Sequence, residues 1–197
     1  MDLWHDFAAA DDFRKLSKDA CHASRGWLVE VFLNGRYHGV YNLCERIDRK
    51  QLQLLKDNGK GQGGVLYKAD QWSSATLFGG VRRQESFGRP DDSRENWEGW
   101  QAKYPEPSRK RKAHWQPLYD AVRFVCRADN ETFCQEVDQY FVLPLVRDYW
   151  LFVELLLATD NSGKNMYWTS QDCLQTPQLA PIPWDLDGTL GHNWSGH

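Results

Sequence analysis

Two β-rich runs, Trp27-Leu-Val-Glu-Val-Phe-Leu33 and Tyr37-His-Gly-Val-Tyr-Asn-Leu43, flank Asn34-Gly35 near the start of the chain. Asn-Gly tolerates the positive φ angles of a type I′ turn, so this pattern predicts a β-hairpin. Upstream, Phe7, Phe13 and Leu16 with Asp11 and Asp12 predict a short amphipathic helix. Residues 49–56 read as another short helix stopped by Asn58-Gly59, and Gly64-Val-Leu-Tyr-Lys68 reads as a strand. Residues 70–112 are polar, charge-rich and punctuated by Gly and Pro, with Trp72, Trp97 and Trp100 interspersed, which predicts a long loop. Helical spacing then returns. Trp115, Leu118, Val122 and Val125 mark one apolar face; Asp129 or Asn130 caps a second helix with Phe133, Val137, Tyr140 and Phe141 inward. Pro144 opens a third, apolar nearly all round over residues 145–157, as a buried central helix would be; it is expected to run into Asp160-Asn161-Ser162 and end at Gly163. Residues 165–169 and 179–184 form a late hairpin that delivers Asp185 at its far end. The fold class is α+β.

Composition narrows this only a little. A chain of 197 residues usually forms one domain, at most two. A net charge of -3 gives no general attraction to nucleic acid. The polar, acidic start (Met1-Asp2-Leu3-Trp4-His5-Asp6) has no secretion-signal character. The longest apolar run, residues 149–158, is interrupted by Glu154 and too short to span a bilayer. Five scattered cysteines without a Cys-x-x-Cys pair argue against a disulfide framework; buried thiols are expected, with a single Cys126–Cys134 bridge if the protein is exported. The basic run Arg109-Lys-Arg-Lys112 reads as a solvated loop.

The chemistry lies late in the chain. Asp160 is followed five residues on by Asn165, and then, across a hairpin-sized gap, by Asp185 and Asp187. A kinase-like phosphotransfer site needs this order: one carboxylate accepts the proton of an attacking hydroxyl, and an amide with a second carboxylate holds Mg²⁺ against nucleotide phosphates. Mg²⁺ takes hard oxygen ligands and only one or two protein carboxylates, so a few short side chains suffice. Singly, each residue has a local explanation. Asp160 could end a helix beside Asn-Ser-Gly, Asn165 could cap a strand, and Lys68 could be an exposed strand lysine. A rival pattern is Asp185-Leu-Asp187-Gly-Thr-Leu190, the first signature of haloacid-dehalogenase-type phosphatases, with Asp185 as nucleophile. Its position late in the sequence counts against it, because that fold places this strand first.

Four pieces in order resemble the CotH (spore-coat protein H) kinase family. They are Val31-Phe-Leu-Asn-Gly-Arg-Tyr-His-Gly-Val-Tyr-Asn-Leu-Cys-Glu-Arg-Ile-Asp48, Gly64-Val-Leu-Tyr-Lys68, Asp160 to Tyr167, and Ile182-Pro-Trp-Asp-Leu-Asp-Gly-Thr-Leu-Gly191. The resemblance implies an atypical protein-kinase-like fold that uses ATP and Mg²⁺ to phosphorylate Ser or Thr of a secreted, spore-surface or cell-surface protein. By position, Asp160 matches the catalytic carboxylate, Asn165 the metal-binding amide, and Asp185 the metal-binding acid, with Asp187 its neighbour. Glu45 ends the hairpin that leads to the adenine-binding hinge, and Lys68 and Lys164 are candidate phosphate contacts. The resemblance further implies one partial kinase-like domain over residues 1–197: a hinge-side β region at 24–69, the polar loop at 70–112, and a helical catalytic half at 113–197. No glycine loop or lysine strand precedes Trp27, so the expectation is an N-terminally shortened lobe. That shortening leaves a third reading, a non-catalytic kinase-like module that binds a partner through the 70–112 loop and its tryptophans.

Overall fold

The computed structural model describes residues 24–59, 61–79 and 87–192, so the helix expected around Phe7–Leu16 lies outside the described residues. The chain divides into two compact units, Met1–Ile47 and Asp48–His197.

In the first unit, strands β1 (Gly26–Leu33) and β2 (Arg36–Cys44) form the expected antiparallel hairpin. Leu33 pairs with Arg36, leaving Asn34 and Gly35 as a two-residue loop with φ of 50° and 77°, as a type I′ turn requires. The open end is closed by backbone: Glu45 N–H donates to the Arg25 carbonyl at 2.9 Å, and Arg25 N–H donates to the Glu45 carboxylate at 3.1 Å.

The second unit is built on a five-stranded, wholly antiparallel sheet. Its strands are β3 (Val65–Ala69), β4 (Asn96–Trp97), β5 (Trp100–Tyr104), β6 (Met166–Ser170) and β7 (Ala180–Pro183), in the order β4-β5-β3-β6-β7. The central strand carries Val65, Leu66, Tyr67 and Ala69, all fully buried. Such a strand is covered on both faces and reads as a continuous apolar run. Three helices follow: α1 (Gln116–Arg127), α2 (Asn130–Tyr140) and α3 (Leu143–Leu156). Asp129 caps α2, its carboxylate accepting from Thr132 N–H at 2.8 Å. Aromatic rings join the layers. Tyr67 stacks on Trp115 at 5.4 Å, and Phe78 meets Trp100, Phe141 and Trp168 at 6.1, 5.6 and 5.2 Å.

Several expectations are corrected. Residues 49–53 form turns and residues 54–56 are irregular, so no helix forms there. The Asp48 carboxylate accepts from the N–H groups of Lys50 and Gln51 at 2.8 and 3.0 Å, as at a helix start, but Gln53 adopts the left-handed conformation (φ 53°) and its N–H donates to the Lys50 carbonyl at 3.2 Å, which ends the segment after one turn. The 70–112 segment is no structureless loop, because it supplies β4 and β5. Along β5, Trp100, Ala102 and Tyr104 are buried while Gln101 and Lys103 are half-exposed, a period-two pattern masked in the sequence by its polar surroundings. Helix α3 is not buried all round. Leu145, Tyr149, Phe152, Val153 and Leu156 face the core, whereas Leu143, Trp150, Leu151 and Leu155 are exposed. Nor does α3 run to Gly163. It ends at Leu157 in the left-handed conformation (φ 53°, ψ 36°), and a separate 3₁₀ turn follows over Thr159–Ser162. Cys134 is a free, exposed thiol, so the Cys126–Cys134 bridge does not form; Cys44 is likewise exposed rather than buried.

Candidate functional site

Antiparallel pairing places the site. Ala69 at the end of β3 pairs with Met166 at the start of β6, and Met166 pairs with Pro183 at the end of β7. Lys68, Asn165 and Asp185 therefore lie at the same end of three adjacent strands, although 117 positions separate the first from the last (185 − 68). The 3₁₀ turn brings Asp160 to that end, just before Asn165. Backbone bonds fix the junction: Asn165 N–H donates to the Ala69 carbonyl at 3.0 Å, and Trp184 N–H donates to the Asn165 carbonyl at 3.1 Å.

Asn165 and Asp185 share a backbone feature, since both sit in the left-handed region with φ of 53° and 56°. Asn and Asp enter that region more readily than other residues bearing a side chain. Asn165 lies just before β6 and Asp185 just after β7, so each turns its chain at the same end of the sheet. Beyond Asp185 the segment folds back: Leu190 N–H donates to the Leu156 carbonyl at 2.6 Å, and the Thr189 hydroxyl donates to the Leu186 carbonyl at 3.0 Å.

The charges at this edge are mixed. Lys164 pairs with Asp160 at 3.0 Å, both side chains about 30% exposed, and Lys68 pairs with Asp70 at 2.8 Å. The Asp185 carboxyl is held above its ordinary value, first by desolvation and then by the charge of Asp187; Lys68 and Lys164 oppose this, and Asp160 adds to it slightly. So Asp187, Lys68, Lys164 and Asp160 all act electrostatically on Asp185. Of the residues singled out in the sequence, six (Lys68, Asp160, Lys164, Asn165, Asp185 and Asp187) belong to this edge. Glu45 belongs to the other unit, where its carboxylate is engaged with the Arg25 amide.

Among the described residues no three His, Cys, Asp or Glu side chains form a group able to hold a metal. The oxygen donors present are two carboxylates, Asp185 and Asp187, beside one amide residue, Asn165. A low carboxylate count of this kind suits Mg²⁺, which keeps several waters, better than a cation that needs an all-protein cage. These residues fit a hydrated divalent ion.

The model of the CotH kinase protein family matches residues 1–197, the whole chain. The protein belongs to the CotH kinase family. No curated protein matches it. Membership makes a CotH-like, kinase-related function the frame for this site, with nucleotide and metal use the chemistry such a family suggests. No helix among the described residues is long and apolar enough to cross a membrane.

Three side chains at this CotH site were not assigned to it by sequence reasoning. Asp70 engages Lys68. Asn161 is 1% exposed and donates to two backbone carbonyls of the site. Trp72 packs against Gly163, between Asp160 and Asn165, so closely that an added Cβ at Gly163 would overlap its ring. Asp-Asn-Ser-Gly gave a turn signal, which obscured the buried role of Asn161. Nothing in the sequence links residue 72 to residue 163.

Proposed function

We propose that this chain is a protein-kinase-like catalytic module of the CotH type, transferring the γ-phosphoryl group of ATP to a Ser or Thr hydroxyl of a protein substrate. The observation that carries the reading is the register that puts Lys68, Asn165 and Asp185 at one end of three adjacent strands, with the Lys164–Asp160 ion pair in the segment just before Asn165. When bound, Mg²⁺·ATP supplies the transferable group and the cationic charge that offsets its phosphates.

The chain's own residues take the remaining roles. Asp160 accepts the acceptor hydroxyl's proton, and its ion pair with Lys164 at 3.0 Å holds the carboxylate in place. Asn165 and Asp185 would hold the cation, with Asp187 as a further ligand or as a hydrogen-bond partner of the groups that hold it. Lys68 and Lys164 face the phosphates as point charges, Lys68 exchanging its Asp70 partner for phosphate oxygen. Glu45 ends the β1–β2 hairpin, with its carboxylate on the Arg25 amide. In this reading the kinase-like domain comprises a hinge-side β region (24–69), residues 70–112 and a helical catalytic half (113–197).

The binding-module alternative draws less support, since Trp97 and Trp100, which it would use for recognition, are buried in the sheet layer. The phosphatase alternative needs Asp185 as a nucleophile that becomes phosphorylated. One experiment separates all three: titrate the full chain and its Asp185→Ala variant with Mg²⁺·ATP by calorimetry, then probe for acid-stable and acyl phosphate. Saturable binding that requires Asp185, with phosphate on Ser or Thr, is expected. An acyl phosphate on Asp185 overturns the kinase reading in favour of the phosphatase, and no binding at all overturns it in favour of the binding module.

A further inference from the structure

Asn161 lies in the 3₁₀ turn between α3 and β6 and is almost entirely enclosed. Its Nδ2 amide donates one hydrogen to the Asn165 carbonyl at 2.6 Å and the other to the Trp184 carbonyl at 2.7 Å. Both partners are acceptors only, so the carboxamide is held with its NH₂ toward them. The turn itself is anchored from α3, where the Tyr149 hydroxyl donates to the Asn161 backbone carbonyl at 2.7 Å.

The two carbonyls that Asn161 grips are not arbitrary. A carbonyl lies in the plane of its peptide group, so the direction of the Asn165 C=O sets ψ of Asn165, and that of the Trp184 C=O sets φ of Asp185. Those are torsions of the two left-handed residues at the site (φ 53° and 56°). Left-handed backbone at non-glycine positions persists where the surroundings over-determine it. One buried side chain thus restrains both ligand-bearing turns at once and fixes their separation. Asp at this position would present acceptors to acceptors, and Ser would supply one short donor. Asn is the shortest side chain that offers two hydrogens from a single atom.

We propose that Asn161 is a positioning residue for the metal–nucleotide site, clamping the Asn165 turn to the Asp185 turn so that their side chains meet one cation. The proposal rests on the kinase reading for its ligand, while the clamp itself is a property of the free protein. Loss of outer partners of metal ligands typically lowers metal affinity or activity 10- to 100-fold.

The test compares three variants of the full chain: Asn161→Asp, Asn161→Ala and, as a control, Tyr149→Phe. The control loosens the same turn but leaves both clamped carbonyls gripped. Two quantities are measured: the dissociation constant for Mg²⁺·ADP, and amide hydrogen exchange of Asn165 and Trp184 in ligand-free protein relative to central β3 amides. Asn161→Asp is expected to weaken Mg²⁺·ADP at least 10-fold and to speed exchange at Trp184 selectively, while Tyr149→Phe stays within twofold on both. If Asn161→Asp does not fold, Asn161→Ala, where water can reach the carbonyls, carries the same expectations. Unchanged affinity in a folded Asn161 variant overturns the proposal, as does equal weakening by Tyr149→Phe. Wild-type protein that binds no Mg²⁺·ADP overturns the nucleotide reading instead, and unchanged exchange at Trp184 overturns the clamp whatever the ligand.

Discussion

Replacing Gly163 by Ala tests how the turn bearing Asp160 is seated. Its backbone (φ −150°, ψ −8°) is open to any residue, so the effect is steric rather than torsional. A Cβ there would overlap the six-membered ring of Trp72 and come within 2.9 Å of Leu77 Cδ2. The leucine methyl can rotate away. The tryptophan ring must swing out or the turn must shift. Trp72 is 48% exposed, so roughly half its surface is covered where it sits. Half of a tryptophan's usual burial is about 100 Å², which at about 25 cal/mol per Å² is worth ~2.5 kcal/mol. Shifting the turn instead falls in the usual overpacking range of ~1–3 kcal/mol, so both escape routes cost about 2 kcal/mol. The assay is urea denaturation followed by tryptophan fluorescence, on Gly163→Ala, Trp72→Ala and the double variant. Gly163→Ala is expected to cost about 2 kcal/mol alone and at least 1 kcal/mol less when Trp72 is already absent, a coupling typical of touching residues. A loss below about 0.5 kcal/mol, or the same loss in both backgrounds, would show that the ring does not confine this turn.

Two further outcomes follow from the same edge and its surroundings. Because Asp185 is held above its ordinary carboxyl value, its contribution to the stability of metal-free protein is fully present below the unfolded value of ~3.9 and is lost as pH rises through the raised folded value. Mg²⁺ requires the deprotonated form, so Mg²⁺-induced thermal stabilisation should grow with pH across that window. In Asp185→Asn it should be absent at every pH, with no loss of metal-free stability at pH 7; retained Mg²⁺ stabilisation in that variant would refute the assignment. Elsewhere, burial pushes the Cys173 thiol up to about 11. Since the thiolate is the reactive form, Cys173 should alkylate far more slowly at pH 8 than exposed Cys134, as peptide mass spectrometry would read; equal rates would show the thiol to be open to solvent.

Some of the fold and of the site was legible from residues alone. Asn34-Gly35 announced a two-residue turn because only a few residue types accept two successive positive φ angles. The β6–β7 hairpin was visible from its apolar runs, and with it the delivery of Asp185. Strands β4 and β5 were lost in a polar stretch, although Trp100, Ala102 and Tyr104 alternate correctly, because short strands carry too few residues to outweigh Gly, Pro and charge around them. Helix α3 was misjudged for a different reason. Its apolar content is spread over every face, and sequence periodicity cannot say which face meets the core when all are apolar.

By itself, the sequence determined which residue types could do chemistry and roughly where chain reversals fall, since turn propensity and side-chain acidity are local properties. It also specified the family through the order of four short segments. Tertiary structure alone decided that Lys68 and Asp185 share one end of the sheet, because strand order is a long-range choice made by packing of buried faces. The same holds for Asn161: its two donors gain their role only when β6 and β7 bring the carbonyls of residues 165 and 184 within reach, and no local pattern encodes that meeting.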